Sequence, residues 1–141
     1  FCIFQILSQV PIEVRPAESP LFPSSDVDRV CLWMRFHPRY YDDLLDVAGL
    51  PVALFLSDFN ILQVGMEIYQ KNKIKLAAAA SLHHTVWLHE TDLKAHDWYL
   101  MVVETSVISL ARGRLNCHLF DERKRCVLSA IQEGYYQRKQ E

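Results

Sequence analysis

The sequence lacks most of the features that announce a specialised chain. Its four cysteines, Cys2, Cys31, Cys117 and Cys126, form no C-x-x-C pair, which removes the usual zinc and thioredoxin-like spacings. Their scatter fits a reducing compartment, with thiols serving as small apolar side chains. Charge of one sign is missing too: 15 Lys and Arg stand against 17 Asp and Glu, for a net charge of -2. That balance gives no support to general attraction for nucleic acid or an anionic membrane. No apolar run reaches the ~20 residues of a spanning helix. The strongest run, Leu44 to Leu56, is interrupted by Asp46, Gly49 and Pro51, so no membrane span is expected. Phe1-Cys2-Ile3-Phe4 is apolar but has no basic n-region, which argues against a signal peptide. A chain that opens on Phe1 reads as a piece of something longer. There is no G-x-S-x-G elbow for a nucleophilic serine, no internal repeat and no low-complexity tract.

What is present is an ordinary globular composition. The chain has 141 residues, 50% hydrophobic and 23% charged, enough for one domain with a real core. We place that domain at 11–137, with 1–10 a linker or upstream remnant and 138–141 a polar tail. Pro11 to Arg15 alternates as a short strand. The Pro- and Ser-rich stretch Pro16 to Asp26 is a loop. Val30, Leu32, Met34 and Phe36 alternate with Cys31, Trp33 and Arg35 as a second strand. Asp42 and Asp43 stand where a helix N-cap and first-turn acids belong. The run to Leu56 is apolar on nearly every face, the mark of a buried helix, with Pro51 kinking or dividing it. Four strands follow: Leu76 to His89, Trp98 to Val107, Arg112 to Phe120 and Cys126 to Tyr136. Short polar turns between them favour antiparallel neighbours. The residue pattern therefore predicts an α+β domain, a curved antiparallel sheet wrapped around one central helix.

Three polar residues stand out in apolar settings. Asp58 directly follows the apolar helix in Ser57-Asp58-Phe59-Asn60. Apolar neighbours and the negative end of a helix both disfavour a charged carboxylate there, which makes it a candidate general base. The plainer alternative is that Ser57 or Asp58 caps the next turn. Gln132 is the polar member of the strand face Leu128, Ala130, Gln132, Gly134, Tyr136. A buried amide needs partners, either a water or substrate, or simply backbone. Ser81 shares a face with Ala77, Ala79, His83, Thr85 and Trp87 on a strict period of two. Its hydroxyl could hold a water or merely fill space. His83, His84 and His89 invite a metal. However, His84 falls on the opposite face, and His83 and His89 lie too far apart along a strand for tetrahedral ligation; we expect none. Arg112-Gly113-Arg114 and Arg123-Lys124-Arg125 could meet phosphates, though solvated turns explain such runs more often. Lys71, Lys73 and Lys75 read as a solvated strand face.

Several of these segments resemble the acyl-CoA thioesterase II family in the same order. Ser81-Leu82-His83-His84-Thr85-Val86-Trp87-Leu88-His89 is similar to that family's S/T-L-D-H-S/T-x-W-F-H. Ser57-Asp58-Phe59-Asn60, His96-Asp97-Trp98-Tyr99-Leu100, Glu104-Thr105-Ser106, Arg112-Gly113 and Ile131-Gln132-Glu133-Gly134 match further pieces. Pro11 to Pro16 resembles the opening of the family's second repeat. The resemblance implies a hotdog fold and hydrolysis of fatty acyl-CoA to free acid and coenzyme A, without cofactor. It implies that Asp58, Ser81 and Gln132 activate a water; Arg112 and Gly113, which could meet the coenzyme A phosphates, are the candidate substrate-binding residues. His83 departs from the usual Asp, Asn116-Cys117 from a second Arg-Gly, and Lys124 from a turn glycine. Family chains usually carry two hotdog repeats and only the second is here, so pairing with another hotdog domain is expected. A non-catalytic acyl-CoA-binding or assembly module is the competing reading. A hydratase is disfavoured because the helix Asp42 to Leu56 has no histidine. Relatives are often peroxisomal or cytoplasmic, yet Arg138-Lys139-Gln140-Glu141 is no peroxisomal signal.

Overall fold

The computed structural model describes residues 11–17, 29–40, 49–59 and 61–139. The expected linker 1–10, most of the Pro/Ser loop, the capping acids Asp42 and Asp43 and the first part of the expected helix lie outside them. Among the described residues six strands are found: β1 (Ile12–Pro16), β2 (Arg29–Phe36), β3 (Leu76–Leu88), β4 (Tyr99–Ser109), β5 (Arg112–Phe120) and β6 (Cys126–Arg138). They form one sheet in the order β1-β2-β4-β5-β6-β3, antiparallel throughout. The strands expected from alternation are all present, and β3 lies at a sheet edge.

The helical region departs from expectation at its C-terminal side. α1 spans Gly49–Asp58 and α2 spans Ile61–Lys71, so helix resumes after Asp58 instead of ending near Leu56. Ile61, Val64, Gly65 and Tyr69 form the buried stripe of α2, the i, i+3, i+4 spacing of a one-faced helix. Lys71 therefore ends a helix, and Lys73 occupies a turn with φ 58°; neither belongs to a solvated strand face. Taken as one stretch, Gly49–Lys71 is long and apolar enough to cross a membrane. Here it is a core helix. Val52, Ala53, Leu56, Ile61 and Val64 are at most 4% exposed and pack with Met101, Val103, Leu115 and Leu119 of the sheet. Each large side chain buried this way contributes roughly 1.5–3 kcal/mol.

The inner face of the sheet is the one the helix covers. On β6 it presents Leu128, Ala130, Gln132, Gly134 and Tyr136, all buried, as the period of two requires. Helix and sheet approach closely at one place. A Cβ on Gly65 would stand 2.1 Å from Tyr136 Oη, so only glycine fits there. The Tyr136 hydroxyl donates to the Leu62 carbonyl at 3.3 Å. Burial, and then the neighbouring Tyr69, push the Tyr136 hydroxyl up to about 12. Cys117 is buried beneath the helix, where burial pushes its thiol up to about 12. Cys31, Cys117 and Cys126 are free thiols, consistent with the apolar role expected of them.

β3 is not a uniform strand. Ser81 is opposite Gly134, but His83 is opposite Glu133 and His84 opposite Gln132, a register shift between Ser81 and His83. A bulge of this kind places an extra residue on one strand. From His83 onward every side chain of β3 changes face relative to a strict alternation. This corrects the expected grouping: His83, Thr85 and Trp87 are on the outer face, away from Ser81. His84 and Val86 join Ser81 on the inner face.

Candidate functional site

Three elements bring their polar residues together. α1 ends on Asp58, β6 carries Gln132 in its inner row, and β3 carries Ser81 just before the bulge. Gln132 is 1% exposed, and its Nε2 donates to Asp58 Oδ1 at 2.9 Å and to Ser81 Oγ at 2.6 Å. Both amide protons are thereby used. Because a carboxylate only accepts, the amide nitrogen must face it. Among the described residues Gln132 Oε1 is buried and without a hydrogen-bond partner. Ser57 does not cap a following turn; its hydroxyl donates back to the Leu54 carbonyl at 2.8 Å.

The setting of Asp58 differs from the one expected. Its side chain is exposed, as is that of Ser81, whereas Gln132 is enclosed. The cluster is an amide at the bottom with a carboxylate and a hydroxyl at its rim. A buried carbonyl oxygen left unpaired costs about 1–3 kcal/mol, which is reason to expect a donor there when the site is in use. A water placed among Gln132 Oε1, Asp58 and Ser81 would find several acceptors for its two protons.

Arg112 and Gly113 do not join this cluster. Arg112 is on the outer face, its Nη1 2.9 Å from Glu133 Oε1, with the sheet between it and Gln132. Gly113 faces inward, in the cross-strand row Gly113–Gly134–Ser81. A Cβ there would be 2.8 Å from the Tyr136 ring, so its role in the fold is close packing. Arg112, Arg114, His83 and Glu133 line an outer-face cleft of about 380 Å³. His83 bonds Thr85 at 2.9 Å and His89 bonds Ser129 at 2.8 Å. Among the described residues no group of three or more His, Cys, Asp or Glu could hold a metal.

Strict alternation misplaced one residue that bears on the site. His84 is on the inner face, the cross-strand partner of Gln132, and among the described residues its Nε2 is buried without a partner. Only the bulge reveals this, and nothing in the alternation of Leu82, Val86 and Leu88 marks it.

A model of the acyl-CoA thioesterase C-terminal domain matches residues 5–136. Among solved structures, the acyl-CoA thioesterase II TesB2 of Mycobacterium marinum is similar with a TM-score of 0.72 at 18% identity, over 92% of this chain and 50% of that one. A tesB protein of Mycobacterium avium subsp. paratuberculosis gives 0.70 at 20% identity, over 96% and 50%. A mutant thioesterase from Staphylococcus aureus gives 0.60 at 8% identity, over 94% of this chain and 98% of that one. The chain thus spans about half the length of the two mycobacterial proteins. At these identities the likeness establishes the hotdog fold.

Proposed function

The chain belongs to the acyl-CoA thioesterase C-terminal domain family, and from that premise we propose that it hydrolyses acyl-CoA thioesters with a water held by Asp58, Ser81 and Gln132. The single observation that carries this reading is the pair of bonds from Gln132 Nε2 to Asp58 and Ser81. Three residues distant in sequence meet at one point, with an unpaired carbonyl oxygen beside them. Asp58 takes a proton from the water as it attacks the thioester carbonyl. Gln132 and Ser81 fix its position, so that attack begins from an oriented pair. No covalent acyl-enzyme is needed.

A second hotdog domain belongs to the same proposal. Among the described residues β3 is hydrogen-bonded only to β6, and Leu82, Trp87 and Leu88 on it are 50%, 47% and 43% exposed. A long apolar edge of this kind calls for cover. A further hotdog domain, from another copy or from additional chain, would supply it and close the open rim beside Ser81. The length of the mycobacterial relatives, twice that matched here, supports such pairing.

The test is acyl-CoA hydrolysis by the purified chain and by Asp58→Asn. A general base contributes about 10²–10⁴-fold, so the variant should fall by at least about a hundredfold. Equal rates would remove Asp58 as the base. Tight binding of a non-hydrolysable acyl-CoA without any turnover would instead favour a binding or assembly module.

A further inference from the structure

The proposed cluster is rich in acceptors and poor in donors. Both protons of Gln132 Nε2 are committed to Asp58 and Ser81. The free positions that remain, on Asp58, Ser81 and Gln132 Oε1, suit the two protons of a water. Apart from the Ser81 hydroxyl proton, which the water itself can accept, the cluster supplies no donor for the carbonyl oxygen, where negative charge develops during attack. His84, on the inner face beside Gln132, can supply one. The bulge after Ser81 turns it inward, opposite Gln132, and directly opposed residues have Cβ atoms ~4.5–5.5 Å apart. Among the described residues its Nε2 is buried and has no hydrogen-bond partner. In the Nε2–H tautomer, a donor left in that state carries a desolvation cost that a ligand oxygen would offset.

We infer that His84 is a further catalytic residue, whose Nε2–H donates to the thioester oxygen as it becomes an oxyanion. The inference rests on the thioesterase reading above. The water oxygen bonds to the carbonyl carbon, the C=O π pair moves to oxygen, and Asp58 takes the water proton. His84 lends a hydrogen bond and keeps its proton. Collapse of the intermediate breaks the C–S bond, and the proton on Asp58 passes to the coenzyme A sulfur. The products are the free acid and the thiol.

The experiment is steady-state kinetics on acyl-CoA with His84→Phe, His84→Gln and His84→Asn in the full chain, with thermal unfolding of each. An oxyanion contact exists only in the transition state, so its loss falls on kcat and spares KM. His84→Phe keeps the ring and removes the donor, and should lower kcat by about 10²–10³-fold with KM within about threefold. His84→Gln places an amide N–H near the position of Nε2 and should recover at least about tenfold; His84→Asn is too short and should not. Wild-type kcat in His84→Phe would overturn the inference. So would a loss confined to KM, or one equal in the Phe and Gln variants. If the wild-type chain itself shows no turnover, the thioesterase reading fails, and this inference with it; the wild-type rate therefore separates the two failures.

Discussion

Replacing Gln132 by leucine separates function from stability more sharply than any other change in the cluster. The amide makes two hydrogen bonds, to Asp58 at 2.9 Å and Ser81 at 2.6 Å. A neutral bond is worth about 0.5–1.5 kcal/mol and one to a charged acceptor about 1.5–3 kcal/mol. The loss on that side is about 2–4.5 kcal/mol. Against it stands the removal of a buried unpaired oxygen, Gln132 Oε1, worth about 1–3 kcal/mol. Leucine at a position 1% exposed also adds buried apolar surface, about 1.5–3 kcal/mol. Asp58 and Ser81 are exposed, so water can replace the lost amide at both. The sums nearly cancel, and Gln132→Leu should fold with a stability within about 1–2 kcal/mol of wild type, a Tm shift below about 10 °C. Acyl-CoA hydrolysis should fall by at least about 10²-fold, because the water loses its positioning. Urea unfolding and steady-state kinetics on the same preparation decide the matter. A variant destabilised by more than about 3 kcal/mol would mean the amide is principally structural. A stable variant with undiminished turnover would remove Gln132 from the chemistry.

Three further outcomes follow from the fold. Gly65→Ala sets a Cβ 2.1 Å from Tyr136 Oη; it should cost about 1–3 kcal/mol by overpacking, read as a lower midpoint in urea. Leu110 and Ala111 turn the β4–β5 hairpin with φ 50° and 63°, so Asn-Gly at these positions, the preferred pair for such a turn, should raise stability by about 1–2 kcal/mol. Asp121 accepts from the Arg123 and Arg125 backbone N–H groups and from Arg125 Nε, each at 2.9 Å. Burial pushes its carboxyl up, but these bonds and the Arg125 charge outweigh it and hold the carboxyl below its ordinary value. A lowered carboxyl adds stability that is complete above the unfolded value, ~3.9, and disappears as pH falls through the folded one. Asp121→Asn should therefore be less stable than wild type by about 2 kcal/mol at pH 7, and the gap should close in strong acid. A gap unchanged down to pH 2 would refute the assignment.

Much of this was legible in the chain because the β-strands alternate. Leu128, Ala130, Gln132, Gly134 and Tyr136 are all buried on one face, as a period of two demands. Asp58 and Ser81 both meet Gln132, although Asp58 is more exposed than its apolar neighbours imply. α2 was not legible. Its stripe of Ile61, Val64 and Tyr69 follows an almost uniformly apolar run, and beside that run a one-sided pattern gives little contrast. Nor was the facing of His83 and His84. One additional residue in a strand leaves no trace in composition, since both frames of Ser81 to Leu88 put apolar residues on one side. The bulge shows only in the pairing with β6, where Gly134 meets Ser81 and Gln132 meets His84.

That extra residue gives β3 the property of a vernier. From Ala78 to Ser81 the strand is read in one phase, and from His83 in the other, while the β6 residues they meet, Leu128 to Gln137, keep a single phase. Pairing Ser81 through His84 with β6 without the bulge would leave the length of the edge almost unchanged and still reverse which histidine looks toward the amide of Gln132. The local chemistry depends on register rather than on an identity. Two chains could carry the same serine and the same pair of histidines, and differ only in the bulge that decides which of them the interior sees.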